Sequence, residues 1–357
     1  MELPVHGSNP KYVYHYFNQD MPEDVIDFSV NLNPLGPPWI IQEQWGRWLE
    51  SIVDYPDPHG KRLTELLSKK EQIPETSILL GNGGAALTRQ LANIFEKQKI
   101  LLIQPTFSEY ERTCKAYNCS ITYFELEEGI WNLPWEELRI AIQQHDVVFF
   151  CQPNNPTGIV YDETVVYKLA KICEKSKTYL VLDEAFYDFA IKPMTLLPYL
   201  YHFEYLILMR SLTKMYAIAG LRLGYLVAHP HIIQALRKVQ AYWSVNTIAL
   251  LAGEAVLHEE THVQETRRFV EIQRTVYFPL LRELGYELSN SKVNYFLLRD
   301  PTFDQQTLLF KYLLNKGIVA RHTVNYPGLR GRWLRFSIRK DKDMQLLQKA
   351  LVAWKTN

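Results

Sequence analysis

The run SLTKMYAIAGLRLGY at 211–225 concentrates side chains that do chemistry. Two hydroxyls, Ser211 and Thr213, lie in a turn that presents Lys214, and Gly220 and Arg222 follow. A lysine amine condenses with an aldehyde. Hydroxyls and a guanidinium fork bind phosphate, and a glycine lets backbone approach a ligand closely. Together these are the requirements of pyridoxal 5′-phosphate. Two upstream runs complete the set. VVFFCQPNNPTG at 147–158 is an apolar strand running into Asn155, and YLVLDEAFYDF at 179–189 is a second one ending on Asp183. An asparagine at one strand end can donate to the cofactor's phenolate oxygen. An aspartate at the next can pair with the pyridinium nitrogen and maintain the ring as an electron sink. Taken singly, each has an ordinary explanation: a surface lysine, an Asn-Pro turn, a helix N-cap. Three such strand ends in series are hard to assemble by chance, since ligand groups in α/β sheets gather at the carboxyl ends of strands.

The glycine turn LLGNGGAAL at 79–87 stands just before a helical pattern. Backbone N–H groups at a helix N-terminus bind phosphate, so Gly83, Gly84 and Ala85 are candidates for the cofactor's phosphate cradle. Phe107, in PTFSEY at 105–110, is a candidate to stack on the pyridine ring. His258-Glu259-Glu260-Thr261-His262 matches the H-E-x-x-H zinc pattern, with two imidazoles one helical turn apart. The polar surroundings EETHVQETRR read instead as a solvated helix face with no convincing third ligand, so no metal is expected.

These residues need a scaffold, and the chain is long enough for one. It has 357 residues, 47% hydrophobic, which is ample for a large core and suggests two domains. Runs of strand type (KILLIQP, SITYFEL, VVFFCQP, YLVLDEA, YLILMRS, LGYLVAH) alternate with helical patterns. That alternation predicts an α/β protein with a mainly parallel central sheet and helices on both faces. A helix-rich stretch follows from about 230 to 282, then a smaller α+β domain that packs with the N-terminal segment. The expected organisation is an N-terminal arm and part of the small domain over 1–50, a large cofactor-binding domain over 51–282, and a small C-terminal domain over 283–357. Formal net charge is zero, which does not argue for nucleic acid or an anionic membrane surface. The apolar runs are strand-sized, so no membrane span is expected. MELPVHGSNP lacks the basic and apolar regions of a secretory signal, and the four cysteines form no CxxC pair, so a cytoplasmic protein is expected.

At this point the chain resembles the fold-type I pyridoxal-phosphate superfamily, in the branch of histidinol-phosphate aminotransferase, over nearly its whole length. Its motifs are most similar to the threonine-phosphate decarboxylase family of cobalamin biosynthesis: HGSNP at 6–10, DFSVNLNPLGPP at 27–38, RSLTKMYAIAGLRLGYLV at 210–227, WSVNTIALLAGE at 243–254 and NYPGLRGRWLRFSIR at 325–339. The resemblance implies that Arg335 grips the substrate α-carboxylate and that Arg321, His6 and Asn31 clamp its phosphate, with Asn155 also facing substrate. It implies that Tyr55 reaches the cofactor phosphate of a neighbouring subunit, hence a homodimer with shared active sites. The implied reaction is decarboxylation of L-threonine O-3-phosphate to (R)-1-amino-2-propanol phosphate, with histidinol-phosphate aminotransferase as the alternative. One departure bears on the choice. Many aminotransferases have Asp-x-Ala-Tyr, and here the run is Asp183-Glu184-Ala185-Phe186, whose phenylalanine cannot hydrogen-bond the cofactor phenolate.

Overall fold

The structure, a computed structural model, describes residues 3–356. In chain order its strands are β1 (Ile26–Asp27), β2 (Ile78–Gly81), β3 (Lys99–Gln104), β4 (Ser120–Glu125), β5 (Val147–Cys151), β6 (Tyr179–Asp183), β7 (Leu206–Ser211), β8 (Gly224–Ala228), β9 (Glu287–Leu288), β10 (Tyr295–Arg299), β11 (Ile318–Val319), β12 (Arg321–His322) and β13 (Leu334–Ser337). Seven of them form the central sheet, in the order β2-β8-β7-β6-β5-β3-β4. β8 runs antiparallel to both its neighbours, and the other pairings are parallel.

The strands are near-continuous apolar runs because both faces of the sheet are covered. Successive side chains point to opposite faces, and the packing shows the split. Val148, Phe150, Leu180, Leu182, Leu206 and Leu208 enter one apolar core. Val147, Phe149, Val181, Ile207 and Met209 enter another on the opposite face. The exception is the edge strand β4, whose residues are largely exposed or half-buried. The expected helix-rich stretch is present as Pro230–Val239, Thr247–Val256 and Glu260–Glu283.

A smaller antiparallel sheet, β12-β13-β10-β9, packs with the helices Thr307–Asn315 and Asp341–Thr356. The N-terminal segment is stitched to it. β1 pairs parallel with β11, the Phe28 N–H donates to Val319 O at 2.8 Å, and the Ser337 N–H donates to Phe28 O at 2.8 Å. Of the run DFSVNLNPLGPP at 27–38 only Asp27 belongs to a strand, the two-residue β1. The zinc pattern also reads differently in three dimensions. His258 lies in a turn ahead of the helix that begins at Glu260, so the two imidazoles do not share a helix face. Instead, His262 Nε2 lies 3.0 Å from Asn33 Nδ2.

Candidate active site

β5, β6 and β7 are adjacent, parallel and in register, with Cys151 opposite Asp183 and Asp183 opposite Met209. Their carboxyl ends therefore open at one edge, where a cavity of about 460 Å³ is lined by Asn155, Asp183, Ser211, Thr213 and Lys214. Lys214 sits in the one-turn helix Leu212–Met215, capped by Ser211, whose Oγ accepts the Thr213 N–H at 3.3 Å. The Ser211 and Thr213 hydroxyls lie 2.8 Å apart. The Asn33 N–H holds the loop by donating to Lys214 O at 3.1 Å. Burial pushes the Lys214 amine down to about 8; the positive charges of Arg222 and Arg335 act the same way, and Asp183 opposes them. A neutral, nucleophilic amine is therefore available near neutrality.

Asp183 is buried at the cavity wall, and burial raises its pKa. Two donors oppose that shift: the Ala185 N–H, 2.9 Å from Oδ1, and the Tyr110 hydroxyl on Oδ2. At the glycine turn, Gly83 has φ +74° and lies beneath the Arg222 guanidinium. A Cβ there would stand 2.7 Å from Arg222 Nη2, so only glycine leaves the guanidinium its place. Gly84 and Ala85 line the cavity where the helix Gly83–Ile94 begins. Phe107 also lines it, near the N-terminus of the helix Ser108–Ala116.

The opposite wall comes from the small sheet and the N-terminal arm. Arg321 and Arg335 are direct cross-strand partners in the β12–β13 ladder, and both are buried. Arg335 donates to Asn155 Oδ1 at 2.5 Å and to Ser29 O at 2.8 Å, while its Nε is buried without a partner among the described residues. Arg321 donates to His322 O at 2.5 Å, to Asn325 Oδ1 at 2.7 Å and to Val5 O. Burial, aided by the Arg335 charge, brings its pKa down to about 10. His322 Nε2 lies 2.9 Å from Pro4 O, and burial with the Arg321 charge pushes His322 down to about 3, so it donates as a neutral imidazole. His6 reaches across to Glu109 Oε2 at 3.0 Å. Asn31 lines the cavity, and its buried Oδ1 also lacks a partner among the described residues.

The predicted residues thus line this cavity, apart from Gly83, which lies behind Arg222, and Tyr55, which is 82% exposed and packs at a tilt against Trp243, outside its own chain's cavity. Phe186 lines the cavity with its ring 6.0 Å from Lys214 Nζ. Sequence reasoning missed Tyr110, Glu109, Thr88 and Tyr326. Glu109 and Tyr110 follow Phe107 by two and three residues, and that proximity is the available signal. The donor set fits a phosphorylated pyridine aldehyde: a buried amine, a buried carboxylate, and a glycine cradle under an arginine.

The chain matches the family described as aminotransferase class I and II over residues 23–351. It is 34% identical to a threonine-phosphate decarboxylase of Salmonella typhimurium over 92% of this chain and 91% of that protein. Among solved structures it is similar to the histidinol-phosphate aminotransferase of Clostridium acetobutylicum (TM-score 0.87, 26% identity, 92% of this chain and 99% of that one). It is also similar to the L-threonine-O-3-phosphate decarboxylase of Porphyromonas gingivalis (TM-score 0.83, 25% identity, 92% and 99%). The mainly parallel α/β sheet expected from the strand pattern, and the fold type I that the resemblance implies, are the architecture of these relatives.

Proposed function

We propose, from the premise that the chain belongs to the aminotransferase class I and II family, that it is a pyridoxal 5′-phosphate enzyme that decarboxylates L-threonine O-3-phosphate to (R)-1-amino-2-propanol phosphate, a step of cobalamin biosynthesis. The observation that carries the substrate is the pair Arg321 and Arg335. Like charges directly opposite on a ladder repel, and buried charges need counter-ions. A small substrate with an anion at each end meets both demands.

Lys214, Asp183 and Asn155 would hold the reactive end of the cofactor, and Arg222, Ser211, Thr213 and the Gly83–Ala85 turn its phosphate. Bound there, pyridoxal phosphate supplies an electron sink for charge developing at the substrate Cα. The side chains decide which bond to Cα breaks. Arg335 takes the carboxylate in a bidentate grip, and Arg321, His6 and Asn31 take the phosphate. Held at both ends, the substrate presents one bond for cleavage, a positioning effect. Lys214 Nζ would return a proton to Cα after carbon dioxide leaves.

Tyr55 fits a second copy of the chain. It stands among exposed Ile52, Val53, Tyr242 and Trp243, an apolar patch suited to a homodimer in which Tyr55 reaches the other subunit's cofactor phosphate. Histidinol-phosphate aminotransferase is the second reading, supported by the TM-score of 0.87. Phe186 in the cavity wall favours the decarboxylase. The test is to supply threonine phosphate without an oxo acid and follow carbon dioxide. Release supports the proposal. No release, with conversion of histidinol phosphate when 2-oxoglutarate is added, replaces it with the aminotransferase.

A further inference from the structure

We infer that Tyr110 is a positioning residue that acts through Asp183, its hydroxyl keeping the carboxylate ionised and aimed as a protonated ring nitrogen requires. This rests on the reading of Asp183 as the ring-nitrogen partner.

Tyr110 lies in the first turn of the helix Ser108–Ala116 and is fully buried. Its ring is stacked on Phe149 at 5.1 Å and 28°, and meets Phe107 edge-on at 5.6 Å and 85°. Two aromatic contacts of this kind leave the phenol a single orientation. From it the hydroxyl donates to Asp183 Oδ2, while the Ala185 N–H donates to Oδ1 at 2.9 Å. Each carboxylate oxygen can accept more than one hydrogen bond. One protein donor per oxygen therefore fixes the plane of the carboxylate and leaves lone pairs for the cavity it lines.

The electrostatics give the phenol its importance. A buried carboxyl prefers to be neutral unless it is paired or hydrogen-bonded. Among the described residues Asp183 makes no ion pair, and the nearby cation is Lys214. That amine is half-neutral near pH 8 and is consumed when it condenses with an aldehyde. The Tyr110 hydroxyl and the Ala185 N–H then remain to hold the negative charge. Cys151, the register partner of Asp183, is no substitute, because its weak thiol donor is directed at Pro153 O, 3.2 Å away. If Asp183 took up its own proton it would lose the charge that stabilises an N–H⁺ facing it. The phenol therefore bears on the charge of the ring nitrogen without touching it.

The experiment compares full-length wild type, Tyr110→Phe, Asp183→Asn and the double variant. Each is reconstituted with pyridoxal 5′-phosphate or with its 1-deaza analogue, in which C–H replaces the ring nitrogen, and dissociation constants are read from the absorption change. Wild type binds the natural cofactor more tightly than the analogue. Tyr110→Phe loses about tenfold or more in affinity for the natural cofactor, the scale of one hydrogen bond to a charged group, and little for the analogue. The same substitution in the Asp183→Asn background adds nothing. Equal loss for both cofactors, or full additivity in the double variant, makes Tyr110 a packing residue and overturns the inference. Each variant is compared with itself on two cofactors, so a general folding defect cannot imitate the expected result. If wild type itself does not distinguish the two cofactors, the ring-nitrogen reading of Asp183 fails first.

Discussion

The two walls of the cavity are built in opposite ways. The floor consists of the ends of three adjacent parallel strands, and its side chains are held by the sheet register and by short-range bonds such as Ser211 with Thr213 and Ala185 with Asp183. The roof is assembled from segments 103 to 318 residues apart. Pro4, Val5 and His6 meet Arg321, His322 and Glu109, and in the roof the arginine fork is capped by backbone carbonyls rather than by a carboxylate. A floor fixed by backbone pairing suits chemistry shared across a family. A roof whose cations are satisfied by exchangeable carbonyls and an amide suits the selection of a substrate, because an incoming anion can replace those acceptors with a stronger one. We take reaction class to lie in the floor and reaction choice in the roof.

The hardest blow to this division is struck at the floor. Lys214→Ala removes the amine proposed to capture the cofactor. Turnover falls by on the order of 10⁴-fold or more, as expected when a covalent and proton-transfer group is lost, and the absorption band of lysine-bound cofactor disappears. A surviving borohydride-reducible adduct in that variant would remove Lys214 from the site. The same residue gives a pH signature. Capture needs the neutral amine, and the amine sits near 8. The rate at which apo-protein develops the band therefore rises as pH is raised through about 8 and flattens above it. A rate that instead rises up to the ordinary lysine range shows that burial and the two arginines do not act on Nζ as described.

A roof substitution has a smaller effect that depends on the substrate. Arg321→Ala removes the proposed grip on the substrate phosphate, worth roughly 1.5–3 kcal/mol, or about one to two decades in affinity. The Michaelis constant for threonine phosphate rises by that factor, while plain threonine is barely affected. A loosened substrate also exposes other bonds to cleavage, so conversion of cofactor to the pyridoxamine form becomes measurable. Equal losses on both substrates place Arg321 in the scaffold rather than the clamp.

This contrast also explains what could be read from the chain alone. Asn155, Asp183 and Lys214 are legible because an apolar run ending in a polar group is a local signal, and strand order follows from the alternation of strands and helices. The glycine cradle is legible for the same reason. Tyr110 is not, since a tyrosine early in an amphipathic helix carries no mark of the carboxylate it meets 73 residues later. Arg321 and Arg335 are candidates only through a resemblance, and nothing in the sequence predicts that they pair. Their ladder register depends on how the loop 323–333 returns the chain, and short strands such as β12 have almost no pattern to read. The placing of His258 ahead of its helix shows the converse error, in which a motif is read as a helix face before the helix has begun.

The smallest expected effect tests the seam between the two walls. Phe186 stands where the resemblance would put the tyrosine of Asp-x-Ala-Tyr, its ring 6.0 Å from Lys214 Nζ and packed edge-on against Tyr295 at 4.7 Å. Phe186→Tyr adds one hydroxyl and keeps the ring. A hydroxyl that finds an acceptor in the cavity contributes about 0.5–1.5 kcal/mol, a factor of roughly two to ten. If reaction choice lies in the roof, cofactor binding tightens within that range while the ratio of carbon dioxide released to pyridoxamine form produced stays near the wild-type value. If the ratio swings towards transamination by more than that factor, Phe186 itself selects the reaction. The boundary between class and choice then runs through the floor, at the residue three positions beyond Asp183.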